Sequence, residues 1–154
     1  MPDSLLEGGT GSLSRLQEMP DFLPDRLEAG THNIHGAAGL LEGMKFVRQF
    51  VPGRISHYEG RLIQRLADGL RRSKKYRVFS SAADSSVLSI VPLYLGVEEF
   101  AQYLAAKGIA VRAGLHCAPI AHMSAGTDQS GTVRFSMSVF NTESEIDYLL
   151  RVIP

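Results

Sequence analysis

Apolar residues recur at helical spacing in two adjoining stretches. Ala37, Leu40, Leu41, Met44, Val47 and Val51 fall at three- and four-residue steps and predict a first helix, with Asn33 placed to cap it. Pro52-Gly53 breaks that pattern, and Ile55, Leu62, Leu66 and Leu70 form a second stripe. Ser56-His57-Tyr58-Glu59 reads as its capping box, with serine at the N-cap and glutamate at N3. Arg61, Arg65, Arg71, Arg72, Lys74 and Lys75 mostly line the other side, as on a solvated helix face.

The period then changes. Residues 76–80, around Val78, and 86–92, with Val87, Leu88, Ile90 and Val91, predict a strand pair joined by the turn Ala82-Ala83-Asp84-Ser85. Val97, Phe100, Ala101 and Leu104 predict a third helix, closed by Gly108. A third strand is expected over 109–112, an irregular stretch over 118–131 and a fourth strand over 132–139. In that last strand Val133 and Phe135 face one way and Arg134 the other. Thr142 and Glu145 form a second capping box, opening a helix that carries Ile146, Leu149, Leu150 and Ile153. Adjacent strands among helices predict an α+β fold, a mainly antiparallel four-stranded sheet with helices packed on one face.

The first thirty residues show neither period. Gly8-Gly9-Thr10-Gly11-Ser12 is a glycine-rich turn, and Met19-Pro20-Asp21-Phe22-Leu23-Pro24 is extended and proline-broken. Such a turn with hydroxyls can cradle a phosphate, although no Gly-Lys-Ser/Thr follows to make a P-loop. The chain thus divides into an extended arm, 1–31, and a domain, 32–154.

With 154 residues, 44% hydrophobic and 21% charged, the chain suits one soluble domain. A formal net charge of zero with interspersed signs argues against a nucleic-acid partner or an anionic membrane surface. No apolar run approaches the roughly 18 residues that span a bilayer. A single cysteine excludes an internal disulfide and a multi-thiolate zinc site, which suits a reducing, cytoplasmic setting. His32 and His35 lack a third ligand nearby in sequence, so no metal site is expected.

That cysteine, Cys117, lies in Val111-Arg112-Ala113-Gly114-Leu115-His116-Cys117-Ala118-Pro119, a loop just past a predicted strand. A thiol reacts as thiolate, which a neighbouring positive charge favours, and Arg112 and His116 are the candidate sources. The competing reading is a small buried hydrophobe. Arg134 in mid-strand could hold a carboxylate by a two-pronged hydrogen bond, or stand on the wet face of the sheet.

Arg112 to Pro119, then Gly131-Thr132-Val133-Arg134-Phe135-Ser136, then Phe140-Asn141-Thr142-Glu143-Ser144-Glu145 resemble the C-terminal part of cysteine desulfurases. These are pyridoxal-phosphate (PLP) enzymes of the class V aminotransferase superfamily. The Gly-Gly-Thr turn and Glu28-Ala29-Gly30-Thr31-His32-Asn33 are similar to that family's segments after its cofactor lysine, so the resemblance runs across nearly the whole chain in order.

The resemblance implies the small domain of a fold-type I PLP enzyme that converts L-cysteine to L-alanine and leaves sulfur on Cys117 as a persulfide. It implies that Arg134 binds the substrate carboxylate and that Arg112 lies at the substrate and loop. Thr10, with Gly9, would reach the PLP phosphate of the partner subunit in a homo-oligomer. His116 receives no role. A sulfur acceptor protein and iron–sulfur cluster assembly are implied downstream. The family's PLP lysine stands in a Ser-x-His-Lys setting, and Lys45, Lys74, Lys75 and Lys107 have no such setting. The chain therefore reads as a C-terminal fragment that by itself binds no PLP and is inactive. Alternatives are a sulfur-carrier or binding module, or part of a related class V enzyme such as a selenocysteine lyase or aminotransferase.

Overall fold

The computed structural model describes residues 3–10, 13, 15–79 and 85–154. The chain divides into two compact units, Met1–Phe50 and Val51–Pro154.

In the first unit, a 3-10 turn at Asp25–Leu27 precedes helix α1 (Ile34–Arg48). Asn33 caps α1 as the sequence predicts, its Oδ1 accepting from Gly36 N at 2.9 Å. The apolar stripe is present, yet no residue of α1 is buried. Leu40, Met44 and Val47 are each more than half exposed. Of the glycine-rich turn, Gly11 and Ser12 lie outside the described residues.

The second unit holds helix α2 (Arg54–Ser73), strands β1 (Tyr76–Phe79) and β2 (Val87–Pro92), helix α3 (Val97–Ala106), strand β3 (Arg112–Gly114), helix α4 (Pro119–Ala125), strand β4 (Thr132–Ser136) and helix α5 (Glu143–Val152). The four strands form one antiparallel sheet in the order β1-β2-β4-β3. Leu62, Leu66 and Leu70 of α2, Phe100 and Leu104 of α3, and Ile146 and Leu149 of α5 bury against Leu88, Ile90, Val133 and Phe135. Each such side chain contributes roughly 2 kcal/mol on removal from water, so this single face supplies most of the drive to fold. The other face is free to carry polar residues. This is the α+β arrangement that the patterning predicts.

Four local readings change. Gly53, at φ +80°, takes the N-cap of α2, so the helix starts at Arg54. Ser56 then lies inside it, its hydroxyl donating to Gly53 O at 3.0 Å, and Ser56–Glu59 is not a capping box. The third strand is shifted to Arg112–Gly114, because only these residues meet the β4 ladder. The fourth strand stops at Ser136: Asn141 Oδ1 accepts from Ser138 N at 2.9 Å and turns the chain. Of the stretch expected to be irregular, Pro119–Ala125 is helical, while 126–131 is irregular as expected. Pro119 occupies the first turn of α4, where its fixed φ suits a helix start and its missing N–H costs nothing. The turn expected at Ala82-Ala83-Asp84-Ser85 falls mainly outside the described residues. The Thr142–Glu145 capping box is present as expected.

Candidate functional site

The polar face of the sheet carries one row of side chains across all four strands. Phe79 of β1 pairs with Ser89 of β2, Ser89 with Arg134 of β4, and Arg134 with Arg112 of β3. The period of two that buries Val133 and Phe135 forces Arg134 onto this face, with Thr132 beside it. Arg134 and Arg112 are thus directly opposed. Neither forms an ion pair among the described residues. Arg134 Nε is buried without a hydrogen-bond partner among them.

The chain leaves β3 through two glycines in close approach. Gly114 has φ +101° and Gly131 φ +65°. A Cβ on Gly131 would stand 2.8 Å from the Gly114 backbone, so no larger residue fits there. Residues 115–118 then make a tight turn, closed by Ala118 N donating to Leu115 O at 2.9 Å. Its central residues, His116 and Cys117, have φ +53° and +59°. Two consecutive positive φ values are the pattern that Asn and Gly usually supply, and each non-glycine residue held there costs on the order of 1–2 kcal/mol. The exposed thiol is therefore held in a conformation its own backbone disfavours. Arg112 Nη2 lies 3.8 Å from Cys117 Sγ, across the mouth of the turn.

His116 folds back over the sheet end. Its Nε2 lies 3.0 Å from Thr132 Oγ1, and Thr132 is only 4% exposed. His116 Nδ1 is buried without a partner among the described residues. Burial first, and then Arg134, His122 and Arg112, push the His116 imidazole below its ordinary pKa. His122 of α4 stands beside it, ring centroids 5.6 Å apart, with Nδ1 2.8 Å from Thr127 Oγ1. Arg77 Nη2 donates to Ala125 O at 2.8 Å and so ties the end of α4 to β1. Between α4 and the sheet lies a cleft of about 290 Å³, lined by Phe79, Ser89, His116, His122, Thr127 and Thr132 among others.

Cys117, Arg112 and Arg134 are thus gathered in one unit, and Cys117 is exposed rather than buried. Gly9 and Thr10 belong to the other unit, where Gly9 O accepts from Gly30 N at 2.8 Å and Thr10 Oγ1 from Leu13 N at 3.1 Å. Of the histidine pair set aside as metal ligands, His32 meets Glu28 at 3.1 Å. No metal-ligating cluster occurs among the described residues. Sequence reasoning missed Thr132 and His122. Thr132 was legible, two residues from Arg134 and hence on its face. His122 was not, because α4 itself was not foreseen.

The cleft lining includes no lysine. Lys74 follows the end of α2 and Lys107 the end of α3, and Lys45 pairs with Glu42 in the first unit. Among the described residues, then, no lysine is placed to hold a PLP group covalently at this cleft. Two guanidinium groups beside a thiol fit an anionic, sulfur-bearing ligand instead.

The sequence matches the family model for aminotransferase class-V over residues 1–149. It is 39% identical over 131 residues to a probable cysteine desulfurase of Mycolicibacterium paratuberculosis, covering 84% of this chain and 19% of that protein. Against the cysteine desulfurase CsdA of Escherichia coli it is 31% identical over 130 residues, covering 84% of this chain and 32% of that one. The crystal structure of CsdA (S-sulfonic acid) superposes with a TM-score of 0.79 at 28% identity, over 99% of this chain and 38% of that chain. A C-DES variant with glycine covalently linked to its PLP cofactor shares the fold, with a TM-score of 0.62 at 19% identity, over 99% of this chain and 37% of that one. The chain spans from about a fifth to a third of the length of these curated relatives.

Proposed function

The chain belongs to the aminotransferase class-V family, and from that premise we propose that it furnishes the thiol and carboxylate-binding half of a cysteine desulfurase active site. One observation carries the reading. The exposed Cys117 thiol lies 3.8 Å from Arg112, whose strand neighbour Arg134 keeps a buried Nε with no partner among the described residues.

In the proposed parent reaction L-cysteine becomes L-alanine. The substrate C–S bond breaks, its carbon keeps the electron pair and takes a proton, and Cys117 bonds to the sulfur as a persulfide. PLP, held through a lysine outside this cleft, would supply the electron sink for that cleavage in the complete active site. The residues of this chain do the rest. Arg134 donates two parallel N–H bonds to the substrate carboxylate and so fixes which atom approaches the thiol. Arg112 holds negative charge on the sulfur before and after transfer. The 115–118 turn projects Cys117 beyond the sheet, where a second protein can reach it.

The same reading assigns Gly9 and Thr10 to the PLP phosphate of a partner subunit in a homo-oligomer. It treats 1–31 as an arm and 32–154 as the small domain. The sulfur then passes to a thiol-bearing acceptor protein in the cytoplasm, toward iron–sulfur cluster assembly. Support for these assignments comes from the family alone. No helix among the described residues is long and apolar enough to cross a membrane.

Incubation of the chain with cysteine persulfide, followed by mass spectrometry, tests the proposal. Thiolate attack on the outer sulfur breaks the donor S–S bond, releases cysteine thiolate and leaves one added sulfur on Cys117. An adduct absent from Cys117→Ala is expected; no adduct contradicts the reading. With PLP and L-cysteine alone, the chain is expected to form no alanine.

A further inference from the structure

The 115–118 turn cannot sustain itself. Its two central residues are not glycine, yet both sit at positive φ, and one backbone hydrogen bond closes it. The glycine contact fixes the base of the turn at 114 against 131, but not its tip. Among the described residues two side-chain contacts join the tip to the sheet, the long Arg112 to Cys117 contact at 3.8 Å and the shorter His116 to Thr132 bond at 3.0 Å, and only the second reaches a buried anchor. Thr132 is a firm anchor: it is buried, and it is the ladder partner of Gly114, where the turn begins.

We propose that His116 is a positioning residue whose neutral imidazole, bonded to Thr132, locks the turn so that Cys117 stays beside Arg112. This rests on the reading of Cys117 as the sulfur-accepting thiol. The tautomer follows from the surroundings. With Nε2–H donating to Thr132 Oγ1, Nδ1 presents a lone pair toward cations, which is favourable. A proton on Nδ1 would instead be a buried donor with no acceptor. The charged and titratable groups that face the ring are Arg134 from β4, Arg112 from β3 and His122 from α4. None is acidic, so nothing offsets an imidazolium there. Protonation leaves the Nε2–H bond itself intact but puts a partnerless, buried Nδ1–H and a positive charge among cations, so the charged ring is driven out of its place beside Thr132 and the turn loosens at acid pH.

The full chain has one cysteine, so alkylation reports Cys117 alone. The probe is the ratio of its rates with anionic iodoacetate and neutral iodoacetamide; thiol ionisation cancels in the ratio. Arg112 beside the sulfur favours the anion by about fivefold. His116→Leu and Thr132→Val are expected to abolish that preference, as Arg112→Ala does. His116→Gln, whose amide reaches Thr132 from the Nε2 position, and Thr132→Ser are expected to keep it. In the unsubstituted chain the preference falls as pH drops through the His116 titration, and in His116→Gln it does not. Circular dichroism separates loosening from unfolding. If His116→Leu unfolds, the contrast between Thr132→Val and Thr132→Ser decides, together with the pH dependence. A preference retained in folded Thr132→Val or His116→Leu overturns the proposal, as does one that ignores pH. A chain that follows the expected pattern yet takes no sulfur from cysteine persulfide overturns the desulfurase reading and leaves the positioning role intact.

Discussion

Arg134 and Arg112 stand directly opposite each other on β4 and β3, with no carboxylate paired to either among the described residues. Like charges so placed cost a few tenths to about 1 kcal/mol. On the proposed reading, the stability given up here serves an anion site. Arg134→Gln is therefore expected to leave the free energy of urea unfolding unchanged or to raise it by up to about 1 kcal/mol. A loss of that size would mean Arg134 holds the fold together.

The end of the chain is held by α5. Thr142 Oγ1 accepts from Glu145 N at 3.3 Å, and Glu145 Oε2 accepts from Thr142 N at 2.7 Å. Thr142→Ala is expected to cost about 1 kcal/mol in chemical denaturation. A change indistinguishable from zero would show that packing of Ile146 and Leu149 suffices without the cap.

Acid should act on the same helix. The Thr142 backbone N–H, then the Asn141 amide, hold Glu145 below the usual carboxylate range. The hydrogen bond from Arg65, 2.8 Å from Asp147 Oδ1, does the same for Asp147. Depressed carboxyl pKa values give stability that is complete above the ordinary carboxylate range and lost as pH falls through the lowered values. Thermal unfolding scans between roughly pH 6 and pH 2 should show this decline. Glu145→Gln with Asp147→Asn should flatten it; a slope as steep as before would place the acid sensitivity elsewhere.

Gly131 makes the turn possible. Ala at this position brings Cβ to within 2.8 Å of the Gly114 backbone and places a side chain at φ +65°. Gly131→Ala is expected to destabilise by more than about 1 kcal/mol and to erase the iodoacetate preference of Cys117. Normal stability and an unchanged preference would show that the two glycines do not set the loop.

Leu40, Leu41, Met44 and Val47 expose one apolar side of α1. A stripe of this kind favours association. Light scattering is expected to show mass rising with protein concentration, and Leu41→Gln with Met44→Gln to suppress it. A monomer at high concentration would contradict this.

The helical and strand periods made α1, α2, α3, α5 and strands β1, β2 and β4 legible, because an apolar face writes itself into spacing; β3, expected over 109–112, lies at Arg112–Gly114. Arg134 could be assigned to the polar face for the same reason. Two things escaped. Pro119 marks the end of one element and the start of another equally well, so α4 was hidden, and His122 with it. The pairing of Arg112 with Arg134 depends on register, which a three-residue strand does not reveal. The position of Cys117 was legible as a loop past a strand. The strained turn that presents it was not, because His116 and Cys117 are not residues that signal positive φ.

On the proposed reading, Cys117 and Arg134 together receive a sulfur-bearing amino acid. Rates of sulfur transfer to Cys117 from cysteine persulfide and from its methyl ester, which lacks the anionic carboxylate, test it most directly. Faster transfer from the free carboxylate is expected, with the difference lost in Arg134→Gln. Equal rates from both donors, or a difference that survives Arg134→Gln, would contradict the account.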